Sequence, residues 1–352
     1  MDENKQYVHF EDGESMDDWA KKQMEPDKVF LPDWTNKPKA QPAVLTLNGL
    51  SILTHQNLTS IIAKQGMGKS SICESVLASY LNPKADCLGF NVDGDCKGVI
   101  YVDFERTNSD VWNSFYRMCK RAEINEGERI TGVKVAGMRS IPRLKERLNA
   151  IKDLLQNNQC SLLILDGAGD MVTDTNDLQQ AIECRIFLRL LTVRYDLSIL
   201  TTLHPNPNSD KPRGHIGSEI IREAEGVFLV KKYEGDCRII TSDFEHGKNR
   251  NNSPITTGFK WSDDKMMFIS LDIDGMAESA KAVKNEQKIK VVADLAKKIL
   301  SPLDSMTDGE LIKAIMKLNS VSESTAKRNK SNMIGWDIIS QRTDGRYQLT
   351  LQ

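Results

Sequence analysis

LTSIIAKQGMGKSS, Leu58 to Ser71, is the stretch on which the fold turns. An apolar, strand-like run enters a glycine-rich turn and leaves it into the helical pattern of Lys69–Tyr80, which is the context a phosphate-cradling loop requires. Gly66 and Gly68 let consecutive backbone amides turn inward onto phosphates, Lys69 supplies a point charge for the β- and γ-phosphates, and Ser70 supplies a hydroxyl for Mg²⁺. The expected cradle is Ala63, Lys64, Gln65, Gly66, Met67, Gly68, Lys69, Ser70 and Ser71, with ATP and Mg²⁺ as its ligands. Ala63 stands where the usual pattern has its first glycine, a sterically mild change. A serine-capped glycine turn with no ligand is the competing reading, and the strand before it and helix after it weigh against that.

Other apolar runs deliver polar residues to the same edge. SLLILDGAGD, Ser161 to Asp170, has four apolar residues and then Asp166, as expected of a strand buried on both faces that ends beside the phosphate loop. Asp166 is the expected partner of Mg²⁺, through water or Ser70. Val99–Phe104 delivers Glu105, a carboxylate able to polarise the attacking water. Asp103 competes for that role, because strand alternation puts both carboxylates on one face and spacing alone does not choose. Ser198–Thr202 delivers His204, which is positioned to sense the γ-phosphate and pass its state to the loop beyond.

From Leu45 to about Asp274 apolar runs alternate with amphipathic helices, predicting an α/β fold with a central, mostly parallel sheet. Ala224–Val230 and Arg238–Phe244 are further expected strands, and Asp110–Arg121, Ile141–Gln156 and Asp177–Tyr195 further helices. The predicted organisation is an acidic N-terminal arm over 1–44, an ATPase domain over 45–274, a linker over 275–287 and a small domain over 288–352. Residues 281–352 carry thirteen Lys and Arg against eight Asp and Glu, so the C-terminal piece is basic although the whole chain has a formal charge of −2. That overall balance argues against a uniformly basic nucleic-acid coat.

In the C-terminal piece Thr307 and Glu310 form a capping box, Ser322 is a candidate N-cap, and Asp344-Gly345 is a two-residue hairpin signal. Two helices and a hairpin there look like a winged helix. Lys327, Arg328 and Lys330 on the second helix, with Arg342 and Arg346 on the wing, are its candidate contacts to duplex DNA. Many winged helices mediate protein contacts instead.

The phosphate loop, the strand ending in Glu105, Asp166 after LLIL, His204 and the RGHIGSE segment together resemble the RecA-like ATPases, especially the RepA branch of hexameric helicases. The resemblance covers about residues 45–260. It implies ATP bound between subunits of a ring, with a Lys-x-Arg finger pair supplied by the neighbouring subunit. In FEHGKNRNNSP, Phe244 to Pro254, Lys248 and Arg250 fit that pair. No apolar residues around them would bury their side chains, so both cations are expected on display, stabilising charge on the γ-phosphate in the transition state. A solvated basic turn is the plainer alternative.

The resemblance also implies two loops lining a central channel. HPNPNSDKPRGHIGSE, His204 to Glu219, reads as one long loop carrying Lys211 and Arg213 toward single-stranded DNA. GAGDMVTDTND, Gly167 to Asp177, takes the place of the other, and its Asp170, Asp174 and Asp177 speak against direct phosphate contact. The implied protein is a hexameric, ATP-hydrolysing DNA helicase serving replication or mobilisation of a plasmid or mobile element, with a primase or other replication protein as a further partner. The alternative is an ATP-switched DNA-binding loader, recombination mediator or regulator that separates no strands. A metabolic kinase is disfavoured by the finger pair and the basic tail.

The composition, 39% hydrophobic and 27% charged, is that of an ordinary globular protein. The seven cysteines are scattered without a CxxC pair, which argues against a zinc or disulfide framework and for a reducing compartment. The start, MDENKQYVHFEDGESMDDW, has no apolar core, and no run is of membrane-spanning length, so the expected location is the cytoplasm with no membrane partner.

Overall fold

The computed structural model describes residues 34–35, 37–233, 236–250, 252–272 and 288–350. Most of the expected acidic arm and the whole expected linker lie outside these residues. The chain divides into two compact units, Met1–Ile273 and Asp274–Gln352.

The first unit is built on a ten-stranded sheet, ordered β13 (Met267–Leu271), β12 (Thr256–Ser262), β10 (Cys237–Thr241), β9 (Gly226–Lys232), β3 (Leu58–Ala63), β8 (Ser198–Leu203), β7 (Leu162–Asp166), β5 (Val99–Asp103) and β6 (Val133–Gly137), with β11 (Lys248–Asn249) added beside β9. Its parallel part is β9, β3, β8, β7, β5 and β6. Every residue of β3, β5, β7 and β8 is buried, because helices cover both faces. One side is covered by α1 (Lys69–Leu81) and α2 (Asn108–Arg121), the other by α3 (Leu144–Asn157), α4 (Leu178–Arg194) and α5 (Gly214–Glu223). The apolar strand faces split accordingly: Ile62, Ile100, Leu163 and Ile199 join Leu148, Phe187 and Ile220, while Ile61, Tyr101, Ile164 and Leu200 join Ile72 and Met118.

The antiparallel extension, β10, β12 and β13, closes one side of the sheet. A separate three-stranded sheet, β2-β1-β4, comprises Leu50–Thr54, Ala43–Leu47 and Phe90–Val92. Six of these strands, β1, β2, β4, β6, β12 and β13, were not among those expected.

Two expectations need correcting. The segment read as a loop to Glu219 becomes α5 from Gly214 onward. Gly214 has φ +73°, and a side chain there would meet the Thr175 carbonyl at 2.4 Å, so its glycine meets a packing demand that resembles a loop signal in sequence. The second correction concerns Lys248. It lies in β11 (Lys248–Asn249), paired with Val227 of β9, and is half-buried, with its ammonium donating to the Ala224 carbonyl. Arg250, by contrast, is exposed, as expected.

In the second unit residues 288–300 are helical, followed by α6 (Asp308–Asn319), α7 (Glu323–Gly335) and a hairpin of β14 (Ile339–Gln341) and β15 (Tyr347–Leu349). The Thr307–Glu310 capping box opens α6, and Gly345 takes φ +83° in the hairpin turn. Leu295, Ile299, Leu311, Ile315, Met333 and Ile339 are among its core residues. Among the described residues no helix is long and apolar enough to cross a membrane.

Candidate active site

The parallel strands β3, β5, β7 and β8 end on one edge, and their C-terminal residues form the site. Gly66 (φ +76°) and Gly68 (φ +94°) take left-handed backbone in the phosphate loop. At Gly68 a side chain would also sit 3.2 Å from the Phe268 ring, a close contact that adds to the cost of its left-handed backbone. Gly68 caps α1, which brings the amide-rich helix N-terminus to the loop.

Lys69, Glu105 and His204 meet above the loop. The Lys69 ammonium lies 2.7 Å from His204 Nε2 and 3.7 Å from Glu105 Oε1, and His204 Nε2 lies 3.2 Å from the same oxygen. Nε2 of the ring thus lies between the ammonium and the carboxylate. Glu105 Oε1, shielded from water, then makes no hydrogen bond of good geometry. The His204 ring, the Lys69 ammonium and the Arg106 guanidinium hold its carboxyl below the usual range, against the opposing pull of burial. An ionised, under-bonded carboxylate beside the phosphate-loop lysine is suited to accept a proton from water.

Asp166 is buried and accepts three hydrogen bonds. It accepts from Ser70 Oγ at 3.1 Å, Tyr101 OH at 2.8 Å and Thr202 Oγ1 at 2.5 Å. A serine hydroxyl and an aspartate in contact at the loop form the hard-oxygen donor set that Mg²⁺ prefers, so the residues present fit the ion. Among the described residues no cluster of three His, Cys, Asp or Glu suits a metal held by protein alone, and all seven cysteines are free.

The turn after β5 sets Asp103 and Glu105 apart in what each has left to accept. Asp103 is buried; its Oδ1 accepts the amides of Glu105 and Arg106 at 2.9 and 2.8 Å, and its Oδ2 accepts Arg106 Nε at 2.5 Å. That leaves Asp103 no capacity for substrate, whereas Glu105 faces Lys69. Arg106, Tyr101 and Thr202 escaped the sequence reading. Their only signals are a charged residue directly after Glu105, and a tyrosine and paired threonines inside otherwise apolar strands.

The two loops beyond the site differ in kind. Residues 204–213 make a small excursion pinned at its base by a Pro205–Pro212 bridge and by the Arg213 amide donating to the His204 carbonyl at 2.9 Å. Lys211 and Arg213 are exposed on it. After Asp166 the acidic residues serve local geometry: Asp174 accepts the Asn176 amide, and Asp177 caps α4 through the Gln180 amide. Burial, then the nearby Glu105 charge, raise the carboxyl of Asp170 above the ordinary range. The loop after Asp166 also touches the first turn of α5, with the Ile216 amide 3.3 Å from the Thr175 carbonyl.

Lys248 and Arg250 are not part of this cluster. Lys248 pairs at the beginning of β9, level with Ser60, whereas the phosphate loop follows Ala63, level with Val230. That separation is about 10 Å along the strands at roughly 3.3 Å per residue. Burial and the adjacent Arg250 charge lower the Lys248 ammonium pKa. Of the candidate nucleic-acid residues, Lys330 pairs with Asp308, Arg342 with Asp304 at 2.7 Å, Lys327 with Glu323 at 2.7 Å, and Arg346 with Glu310 at 3.6 Å. Arg328 is exposed.

A family model described as an AAA domain matches residues 20–210. No curated protein matches the chain.

Proposed function

The chain belongs to the AAA-domain family, a P-loop ATPase that binds nucleotide, and on that premise we propose that it is a ring-forming helicase or translocase that hydrolyses ATP to move on single-stranded DNA. Lys69 and the loop amides would hold the phosphates, Ser70 and Asp166 would hold Mg²⁺, and Glu105 would take the proton of the attacking water. Mg²⁺ when bound would neutralise charge on the phosphates.

One observation carries the reading. His204, in contact with both Lys69 and Glu105, is also the first residue of the pinned excursion that bears Lys211 and Arg213. Any change at the γ-phosphate that moves Lys69 or Glu105 acts on the residue that anchors a cationic loop, so hydrolysis and grip on a phosphate backbone share one side chain. The exposure of Arg250 and its distance from its own phosphate loop support its use at a neighbouring subunit's site, with Lys248, tied to the Ala224 carbonyl, beside it. The described C-terminal unit, three helices and a hairpin, supports a winged helix that contacts duplex DNA or a replication partner such as a primase. Replication or mobilisation of a plasmid or mobile element is the setting we propose.

The test is ATP turnover against protein concentration, with and without single-stranded DNA. A rate per subunit that rises with concentration and again with DNA is the expected result. Flat turnover that ignores DNA would overturn the motor and favour an assembly switch without strand separation.

A further inference from the structure

Asp103 and Asp166 stand level on neighbouring parallel strands, so the sheet sets two carboxylates side by side. They are 1% and 5% exposed, too buried for water to screen their repulsion. One tyrosine serves both, with Tyr101 OH 3.1 Å from Asp103 Oδ2 and 2.8 Å from Asp166 Oδ2. A phenol has a single proton to give, so it cannot satisfy both.

Arg106 closes the set. Its Nε donates to Asp103 Oδ2 at 2.5 Å, another nitrogen donates to the Tyr101 oxygen, and the same nitrogen lies 3.6 Å from Asp166 Oδ2. The guanidinium is itself held from behind. Its Nη1 donates to Ser114 Oγ at 2.7 Å, and Ser114 donates to Glu74 Oε1 at 2.5 Å, which also pairs with Arg117 at 2.6 Å. Helices α1 and α2 thus fix one cation between two carboxylates, only one of which faces Ser70.

We infer that Arg106 is a positioning residue: it neutralises Asp103 so that Asp166 stays turned toward Ser70 and the Mg²⁺ side of the nucleotide site. The inference rests on the nucleotide-binding part of the reading above and goes beyond it by assigning a role to Arg106, which that reading leaves without one. Without the guanidinium, two buried like charges compete for one tyrosine proton, and Asp166 is driven from its bond to Ser70. Outer-shell partners of this kind typically carry about 10- to 100-fold in metal affinity.

Calorimetric titration of the full chain with ATP, in Mg²⁺ and in EDTA, tests this. Arg106→Met is expected to lose about tenfold of the affinity that Mg²⁺ adds, while binding in EDTA is unchanged. Asp103→Asn in the same chain removes the competing charge but keeps the oxygen that accepts the Glu105 and Arg106 amides. It should therefore restore most of the Mg²⁺ increment. Arg106→Lys, which keeps the charge without the fork, should fall between. A wild-type Mg²⁺ increment in Arg106→Met would overturn the inference. So would an equal loss with and without Mg²⁺ that Asp103→Asn does not repair, since that is what mere misfolding produces. A wild-type chain that binds ATP but never turns it over would overturn the motor reading and leave this binding test standing.

Discussion

The nucleotide edge of the sheet and the surface of the C-terminal unit both concentrate charge, and they dispose of it differently. At the edge, Lys69, Glu105 and His204 converge within 3.7 Å, and Glu105 Oε1 keeps unspent accepting capacity. On the C-terminal unit Lys330, Arg342 and Arg346 are each matched to an acid on another element. Convergent strand ends bring ionic groups together because the backbone has nowhere else to put them, and reactivity comes from leaving one of them under-bonded. Surface cations have room to find partners. Such exposed pairs contribute little and give way readily to a competing phosphate.

The largest effect that would break this contrast is at Glu105. Glu105→Gln keeps the size and removes the charge, and turnover should fall about 100- to 10,000-fold with ATP affinity within a fewfold of wild type. Turnover near the wild-type rate would mean that the under-bonded carboxylate is not the base. Asp103, saturated by its own turn and by Arg106, does not offer a second base.

That site was mostly legible in the sequence, and the reason is geometric. An apolar run buried on both faces must end at the sheet edge, so burial alone places the residue after LLIL or after Val99–Phe104. Spacing could not choose between Asp103 and Glu105, because the choice lies in the turn hydrogen bonds and in Arg106. Nor could it show α5, whose Gly214 and Gly217 fit close approaches to Thr175 and Pro212 rather than a flexible loop. The C-terminal charges were legible as cations but not as pairs. Lys330 with Asp308 and Arg342 with Asp304 are joined across 22 and 38 residues, distances that no periodicity encodes.

A smaller effect sharpens the contrast within the C-terminal unit. Lys330, 18% exposed, pairs with Asp308 and lies 5.3 Å from the centre of the Tyr347 ring, so it helps tie α7 to α6 and the hairpin. Lys330→Ala should lower stability by about 0.5–1 kcal/mol in denaturant titrations. Arg328→Ala should leave stability unchanged and weaken duplex binding, with the salt slope reduced by about one. Equal losses of duplex affinity in the two variants would mean that internal pairing does not decide which cations are offered.

The smallest effect lies between two acids that both feel the Lys69 charge. The Glu105 carboxyl is held low chiefly by the His204 ring and the Lys69 charge, so its ionised form favours the folded chain. That contribution is present above the ordinary carboxylate pKa of about 4.3 and is lost as pH falls through the lower folded value. Asp170 runs the other way: burial and the Glu105 charge raise it, so its contribution is present below about 3.9 and is lost as pH rises through the folded value. Thermal melts from pH 3 to 8 should therefore show opposite signs. Glu105→Gln should melt below wild type at pH 7, Asp170→Asn about 1–2 °C above it, and both differences should close toward pH 3. The same sign in both variants would mean that Glu105 and Asp170 do not sit in the opposed fields that Lys69 and burial give them, and that the nucleotide edge balances its charges as the C-terminal surface does.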